Sequence, residues 1–426
     1  MLLRHEGSAT PKAVWLWLTA ILLLAVGVRF TLAQLTAAPL ENLPDQVEYL
    51  QLAESLKAGN GLVLVDERYA TPQTLRAQRM PGYPALVAAV GASIIAVQWL
   101  QFGLDVLTAV GVFVLGRRFV SPVAGLAAAG LVATHPFIAY VSTLLLSESA
   151  YTCLLTWSVV GLSHPTRARY HWLGLLAGVA TVFVRPGGAV VTVAVVGAAS
   201  LLPMGKVAWS PVARDSRWPL PPLVTAAGLI ALCLLPWALR NRAILGQNVF
   251  LTTNAGITLF DGWNLDNTTG GSDQSFVGRM PQLGLMSEVD RDTYLRRQAW
   301  EDATRDPLRS VQLAGQKLAR TWSPVPLSQF GDAKSLVAGL GYYAVFWTLL
   351  AVGLWLGQLR LREKMLLVLP ILVLTALHVL TVGSMRYRLP AEPLLAVVAA
   401  SGAMALIERR YGPAGEDADT EAGPAD

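Results

Sequence analysis

The chain reads as an all-α, polytopic helical membrane protein, and three observations carry that reading. Of its 426 residues, 54% are apolar and 14% charged, where a soluble domain carries roughly 25% charged residues. The apolar residues gather in long uncharged runs, and about 20 such residues cross a hydrocarbon core as a helix. The mean hydropathy of +0.47 excludes a cytosolic enzyme of two or three globular domains.

The first run, Ala13 to Ala33, follows Arg4 and Lys12 and is too long for the apolar stretch of a cleaved signal peptide. It reads as an uncleaved signal anchor with its N-terminus inside. Further runs lie at about 94–116, 121–141, 147–163, 171–185, 187–203, 221–239, 336–357, 365–382 and 391–407. About ten spans put both termini on one side. In that topology Arg4, Lys12, Arg117, Arg118, Arg167, Arg169, Lys206, Arg214, Arg217, Arg360, Arg362, Lys364, Arg409 and Arg410 lie inside, against Arg185, Arg386 and Arg388 in the short outer turns. Short cytoplasmic loops collect Lys and Arg, so the imbalance places both termini in the cytoplasm. The net charge of +5 is then a matter of orientation, and no nucleic-acid partner is expected. Cys153 and Cys233 both sit in apolar runs, where a thiol behaves as a small hydrophobe.

The organisation expected is a transmembrane module, 1–239, that includes an outer loop, 34–93. An outer loop with amphipathic helices, 240–335, and C-terminal transmembrane helices, 336–410, follow. A tail, 411–426, lacks apolar residues and should be disordered. In the second loop a polar stretch, Asn254 to Ser275, precedes a helix at Arg291 to Arg305; Pro307 breaks it before another at about 308–321. This pair reads as an amphipathic cap on the membrane face.

The first outer loop begins LPDQVEYLQLAESLKAGNG. Asp45, Tyr49, Ala53 and Leu56 recur at three- and four-residue intervals, which puts them on one face of a helix ended by Gly59 or Gly61. A carboxylate at that helix start, just outside the membrane, suits a general base facing a lipid-borne substrate; Asp is also a favoured capping residue. The loop ends Gln78-Arg79-Met80-Pro81-Gly82-Tyr83-Pro84, a fixed turn that sets Arg79 beside phosphate headgroups or simply on the surface.

Ionisable residues at membrane depth face cavities, charged ligands or each other. Here they are Asp105, Glu148 and Arg185, with Glu148 to Arg185 pairing as the structural account. Arginines also mark the outer interface in LPWALRNR, which holds Arg240, and in Arg386-Tyr387-Arg388-Leu389-Pro390. Several arginines opposite a carboxylate suit a reaction on a phosphate-linked lipid, where cations neutralise the leaving phosphate and a base activates the acceptor; snorkelling anchors explain single ones. Tyr49, Tyr83 and Trp263 offer rings to a ligand or belong to the interfacial belt. Asn267-Thr268-Thr269 fits a glycosylation sequon, and Asp261, Asp266 and Asp273 read first as turn residues. His378 reads as a packed histidine.

In order, the segments DQVEYLQLAESLKAGNG, QRMPGYPAL, LSESAY, GLLAGVATVFVRPGG, LLPWALRNRAILG and MRYRLPAEPLL resemble the polytopic membrane glycosyltransferases of the GT-C type. The nearest groups are glycosyltransferase family 39, the dolichyl-phosphate-mannose protein mannosyltransferase class, and the bacterial lipid A aminoarabinose transferases. The similarity runs from about residue 13 to 407. It implies a polyisoprenyl-phosphate sugar donor and inverting transfer, on the outer face, to an acceptor protein, lipid or glycan. It implies that Asp45 is the essential acid of the first loop, and that Arg79, Glu148, Arg185, Arg240 and Arg386 line the cavity or contact the lipid phosphate. Tyr83 and Arg388 join them as substrate-binding candidates. Many relatives carry a second acid directly after the first; this chain has Gln46 there, and Glu48 is not an equivalent position.

The function expected is therefore a glycosyltransferase of a bacterial inner (plasma) membrane. Its partners are membrane lipid, donor and acceptor; no resident cofactor is expected, and a divalent metal is left open. A carrier or flippase for a lipid-linked or anionic solute would use the same intramembrane charges, but with short loops and broken helices around a midplane site. A non-catalytic assembly subunit would use the long loops only to bind partners.

Overall fold

Each apolar run contributes at least one helix among the described residues of the computed structural model, although not every helix is long. The structure describes residues 10–36, 43–164, 168–201, 220–326 and 333–411. The tail 412–426 and Arg4, Arg167, Lys206, Arg214 and Arg217, which entered the topology reading, lie outside the described residues.

Helix α1 (Pro11–Leu35) leads to a first loop segment made of α2 (Pro44–Lys57), β1 (Leu64–Asp66), β2 (Gln73–Leu75) and α3 (Gly82–Ala89). Then come α4 (Ile94–Phe119), α5 (Pro122–Ala133), α6 (Pro136–Val141), α7 (Glu148–Leu162), α8 (Ala168–Val184), α9 (Gly188–Leu201) and α10 (Pro222–Leu245). The second loop segment carries α11 (Ala255–Trp263), a single-turn α12 (Phe276–Arg279), α13 (Glu288–Arg305) and α14 (Pro307–Thr321). Helices α15 (Ala333–Leu356), α16 (Leu361–Leu380) and α17 (Glu392–Tyr411) complete the order.

Among the described residues six helices, α1, α4, α10, α15, α16 and α17, are long and apolar enough to cross a membrane. The other four expected spans are shorter. α7, α8 and α9 have 15, 17 and 14 residues, and at about 1.5 Å per residue they fall short of a core about 30 Å thick. The run at 121–141 breaks before Pro136, because a proline disfavours helical backbone at the residue preceding it. His135 caps the second half, its Nδ1 accepting from the Ile138 N–H at 3.2 Å.

Close packing of these helices rests on small residues, which let backbones approach where lipid offers no hydrophobic drive. A Cβ added at Gly161 would lie 2.6 Å from the Gly174 Cα, fixing α7 against α8. One added at Gly116 would lie 2.7 Å from the Gly125 Cα, fixing α4 against α5. α17 is the central helix and is buried along most of its length, whereas α1 lies at the periphery. Arg29 of α1 and Asp105 of α4 are both buried and pair at 2.6 Å, with a second Arg29 nitrogen donating to the Ala133 carbonyl at 3.2 Å. That pair gives Asp105 a structural partner and ties α1 to the bundle.

The two loop segments lock together at one end of the bundle. The N–H groups of Arg76 and Ala77, which leave β2, donate to the Glu288 carboxylate of α13 at 2.7 and 2.9 Å. The small antiparallel ladder, Leu64 opposite Leu75, is an addition to the helical expectation. The cap helices begin where polar caps allow, with the Ser287 hydroxyl accepting from the Asp290 N–H and the Asp306 carboxylate from the Arg309 N–H.

Gly82 opens α3 where it meets the end of α8. A Cβ there would sit 2.6 Å from the Phe183 carbonyl oxygen and 2.9 Å from its carbon, so Gly82→Ala must push α3 away from α8. Overpacking of this kind costs about 1–3 kcal/mol, and a fall in the unfolding temperature of the purified protein would report it. An unchanged temperature would show that α3 does not seat here.

Lys317 of α14 is fully buried, its Nζ 3.4 Å from the Trp263 ring centre and without a hydrogen-bond partner. Burial, with the charge of Arg309 adding to it, pushes its pKa down to about 7. From there up to the usual lysine value the unfolded chain binds more protons than the folded one, so stability rises with pH across that window and is lowest at and below pH 7. Lys317→Met should stabilise the protein by about 1–3 kcal/mol at pH 6, with the gain shrinking toward pH 10. A loss of stability at pH 6 would mean that the cation–π contact outweighs desolvation.

Candidate active site

Asp45 occupies the second position of α2, after Pro44. The helix is capped at Leu43 without a side-chain bond, and the Asp45 carboxylate turns instead to two guanidiniums. Arg79 reaches its Oδ1 at 2.5 Å and Arg386 its Oδ2 at 2.7 Å. Arg79 arrives on the turn that Pro81, Gly82 and Pro84 fix, and Arg386 on a short 3-10 turn, Met385–Tyr387, ahead of α17. The resulting contact joins residues 34 and more than 300 positions apart, which no local pattern could announce.

The contacts continue in both directions. Arg79 also binds Glu48 at 2.6 Å, and Glu48 binds Arg68 at 3.0 Å, which in turn binds Asp66 at 2.7 Å. On the other side Arg386 donates to Glu148, whose same oxygen accepts from Arg185 at 2.7 Å. The order Asp66, Arg68, Glu48, Arg79, Asp45, Arg386, Glu148, Arg185 is an unbroken row of alternating charges along the loop end of the bundle. Four carboxylates balance four guanidiniums. The second oxygen of Glu148 is buried and has no hydrogen-bond partner.

Burial alone would raise the Asp45 pKa, but Arg79 and Arg386, with Arg185 further off, outweigh it and hold the carboxyl below the usual carboxylate range. A quarter of the Asp45 side chain still reaches solvent, which limits the burial penalty and strengthens that direction. Glu48 goes the other way. It is more deeply buried, and burial together with the neighbouring Asp45 charge lifts its pKa despite Arg79 and Arg68.

Aromatic rings form the floor. Tyr49 meets Tyr83 edge to face at 4.7 Å between centres, and its hydroxyl donates to the Ser147 hydroxyl at 3.3 Å. Arg185 Nε donates to that same Ser147 oxygen at 2.9 Å. Tyr83 is almost wholly buried and donates to Gln101 at 2.9 Å, so it supports the site from below. Tyr387 stacks on His378 at 4.2 Å beside Arg386. Trp263 lies in the cap, where its indole donates to the Leu380 carbonyl at 2.7 Å.

Five of the residues singled out in the sequence, Asp45, Arg79, Glu148, Arg185 and Arg386, therefore meet in one row. Two others sit elsewhere. Arg240 lies on α10, which runs on past Pro236 to Leu245, and its Nη1 donates to the Arg76 carbonyl at 2.6 Å. It thus holds the strand that leads to Arg79. Arg388 is fully buried and pairs with Glu392 at 2.5 Å, with further bonds to the carbonyls of Thr321 and Ser323. His135 and Tyr343 complete that second polar cluster around Glu392, at 2.5 and 2.9 Å. Arg386 and Arg388 are only two residues apart at the 3-10 turn, yet the first reaches Asp45 and Glu148 and the second Glu392 and the Thr321 and Ser323 carbonyls.

Glu48, Arg68 and Asp66 were not singled out as site residues. Glu48 had a usable signal, because three residues after Asp45 it shares a helix face with it; Arg68 and Asp66 had none. Gln46, at the position of a second acid, is buried and accepts the Leu145 N–H at 2.9 Å, which ties α2 to the turn before α7. In the cap, Asp261 accepts from Ser272 and from the Asp273 N–H, as turn residues do. Both Asn267 side-chain atoms are engaged in the same turn. No group of three or more His, Cys, Asp or Glu is placed to hold a metal ion among the described residues.

No protein-family model and no curated protein matches the sequence. Solved structures do. The archaeal oligosaccharyltransferase AglB from Archaeoglobus fulgidus, solved with an inhibitory peptide and a dolichol-phosphate, aligns over 94% of this chain and 52% of its own, with a TM-score of 0.50 and 12% identity. The apo form of the A. fulgidus oligosaccharyltransferase gives 0.49 at 12% identity, over 92% and 51%. ArnT from Cupriavidus metallidurans, bound to undecaprenyl phosphate, gives 0.38 at 14% identity, over 92% and 77%. The chain spans about half the length of the oligosaccharyltransferase it matches, and the likeness is one of fold. The protein is a polytopic helical membrane protein with a GT-C type fold.

Proposed function

We propose that the protein is a membrane glycosyltransferase that moves a sugar from a polyisoprenyl-phosphate donor to an acceptor hydroxyl, with inversion, on the outer face of the membrane. The acceptor is a protein, lipid or glycan. The observation that carries this reading is a carboxylate, Asp45, held between two guanidiniums at the loop end of a bundle whose fold matches that of an oligosaccharyltransferase solved with dolichol-phosphate.

A phosphodiester donor carries one negative charge, and the released lipid phosphate carries nearly two near neutral pH. Cations set where that charge grows stabilise the transition state more than the ground state. Arg79, Arg185 and Arg386 supply them. In the row described above their charges are already matched by Asp45, Glu48 and Glu148, so a donor phosphate must compete with those carboxylates. As it takes up Arg386, Asp45 loses one of the two cations that depress its basicity. The acceptor oxygen then attacks the anomeric carbon, its proton passes to Asp45, and the bond from that carbon to the phosphate oxygen breaks.

This exchange has a signature in pH. In the free protein Asp45 stays ionised below the usual carboxylate range, so kcat/KM should hold level as pH falls through about 4. In the donor complex the acid limb of kcat should lie at higher pH, because Arg386 is then engaged by phosphate. Coincident limbs would rule out competition for Arg386.

The direct test is purified protein incubated with a panel of polyprenyl-phosphate sugars and candidate acceptors, following release of free lipid phosphate. Acceptor-dependent release is expected. No release with any donor, together with movement of intact labelled donor across a vesicle membrane, would replace the transferase by a carrier.

A further inference from the structure

At the end of the bundle away from Asp45, α1 and α4 border a groove of about 330 Å³ lined by Trp15, Val110, Phe113, Val114, Arg117 and Arg118. A water molecule takes about 30 Å³ of liquid, so the groove is roomy, yet four of its six lining residues are apolar. Both bordering helices are long and apolar enough to cross a membrane. Trp15 is about half exposed and tilts against Phe113 at 6.2 Å, forming one wall. Trp15 lies about 30 Å along α1 from its other end, and tryptophan favours the level of the headgroups.

The rim is cationic. Arg118 donates through one nitrogen to the Val160 carbonyl at 2.8 Å and to the Ser163 hydroxyl at 2.6 Å, which fixes the side chain beside the groove. Arg117 is exposed. Orientation in the membrane and the dipole of α4 account for basic residues at this helix end. Neither accounts for an apolar slot opening directly beneath them.

We propose that this groove binds one anionic phospholipid, its acyl chain along Trp15, Val110, Phe113 and Val114 and its headgroup phosphate on Arg117 and Arg118. The match is one of charge and of apolar shape, since a zwitterionic lipid offers the same chain with a weaker claim on two guanidiniums. The site is separate from the row around Asp45 and does not depend on the function proposed for it.

Native mass spectrometry of the intact protein with phosphatidylglycerol or phosphatidylcholine of identical chains tests this. Phosphatidylglycerol should be retained preferentially, and Arg117→Gln should weaken its retention about fivefold, the effect of one basic residue at a membrane surface. Val114→Trp, which fills the slot, should reduce retention of both lipids. Arg117 is exposed, so its variant reads the headgroup contact even if the filling variant fails to fold. Equal retention of the two lipids overturns the proposal, and so does a preference that is undiminished in Arg117→Gln. A dimer that holds this face and is lost on filling it would overturn it as well.

Discussion

Asp45→Asn is expected to lower sugar transfer about 10²–10⁴-fold, the span that a positioned general base contributes, while leaving a folded protein that binds the donor no more weakly. Asn keeps the shape of the side chain and an oxygen for Arg79, and it removes only the charge and the proton affinity. Arg79 retains Glu48 at 2.6 Å, and Arg386 retains Glu148, so neither guanidinium is left buried and unpaired. In the proposed mechanism Asp45 competes with the donor phosphate for Arg386, so the variant should bind donor at least as tightly as wild type. The loss therefore appears in kcat, with KM equal or lower. Wild-type turnover in folded Asp45→Asn protein would sink the assignment of Asp45 as base. A fall in unfolding temperature with kcat intact would make it a structural anchor of α2.

Arg386→Gln is expected to cost both chemistry and stability. Arg386 joins Asp45 of α2 to Glu148 of α7, and the Glu148 carboxylate is almost wholly buried with one oxygen already unpartnered. Breaking a buried pair by removing one partner costs about 3–5 kcal/mol; Arg185 remains on Glu148, which puts the expectation at the lower end. Removing one donor from a developing anion costs about 10²–10³ in kcat. Arg386→Lys keeps the charge but loses the planar fork that spans two carboxylates, so it should recover stability more than rate. Combined with Asp45→Asn the effects should fall short of their sum, since the two side chains touch each other at 2.7 Å. Full additivity in unfolding and turnover would show that the two side chains do not work together.

Both outcomes depend on a row of charges of which the sequence disclosed a part. Asp45 stood out because a carboxylate at a helix start just outside the membrane suits a general base as well as a cap, and Arg79 because prolines fix its turn. Glu148 and Arg185 stood out because ionisable groups at membrane depth demand a partner, and the structure pairs them at 2.7 Å. Arg240 and Arg388 satisfied the same criterion, arginine at an interface, and answer to other partners, the Arg76 carbonyl and Glu392. Interface position is a matter of sequence distance from an apolar run, whereas the direction of a long side chain depends on helical phase and on which neighbour arrives. Glu48 and Arg68 show the converse: their neighbours converge only when α2, the β-hairpin and the turn before α3 pack together.

Composition and the spacing of apolar runs determined the class of the protein, the order of its helices and the existence of two long loop segments, because burial of apolar surface in a bilayer depends on stretches of chain and not on contacts. They read 121–141 as one span, since hydropathy does not register the break before Pro136. What only the tertiary structure decided is which charges meet. A guanidinium and a carboxylate more than 300 residues apart become partners at 2.7 Å through the summed geometry of every helix between them, and a charge taken out of water must find such a partner or go unpaid.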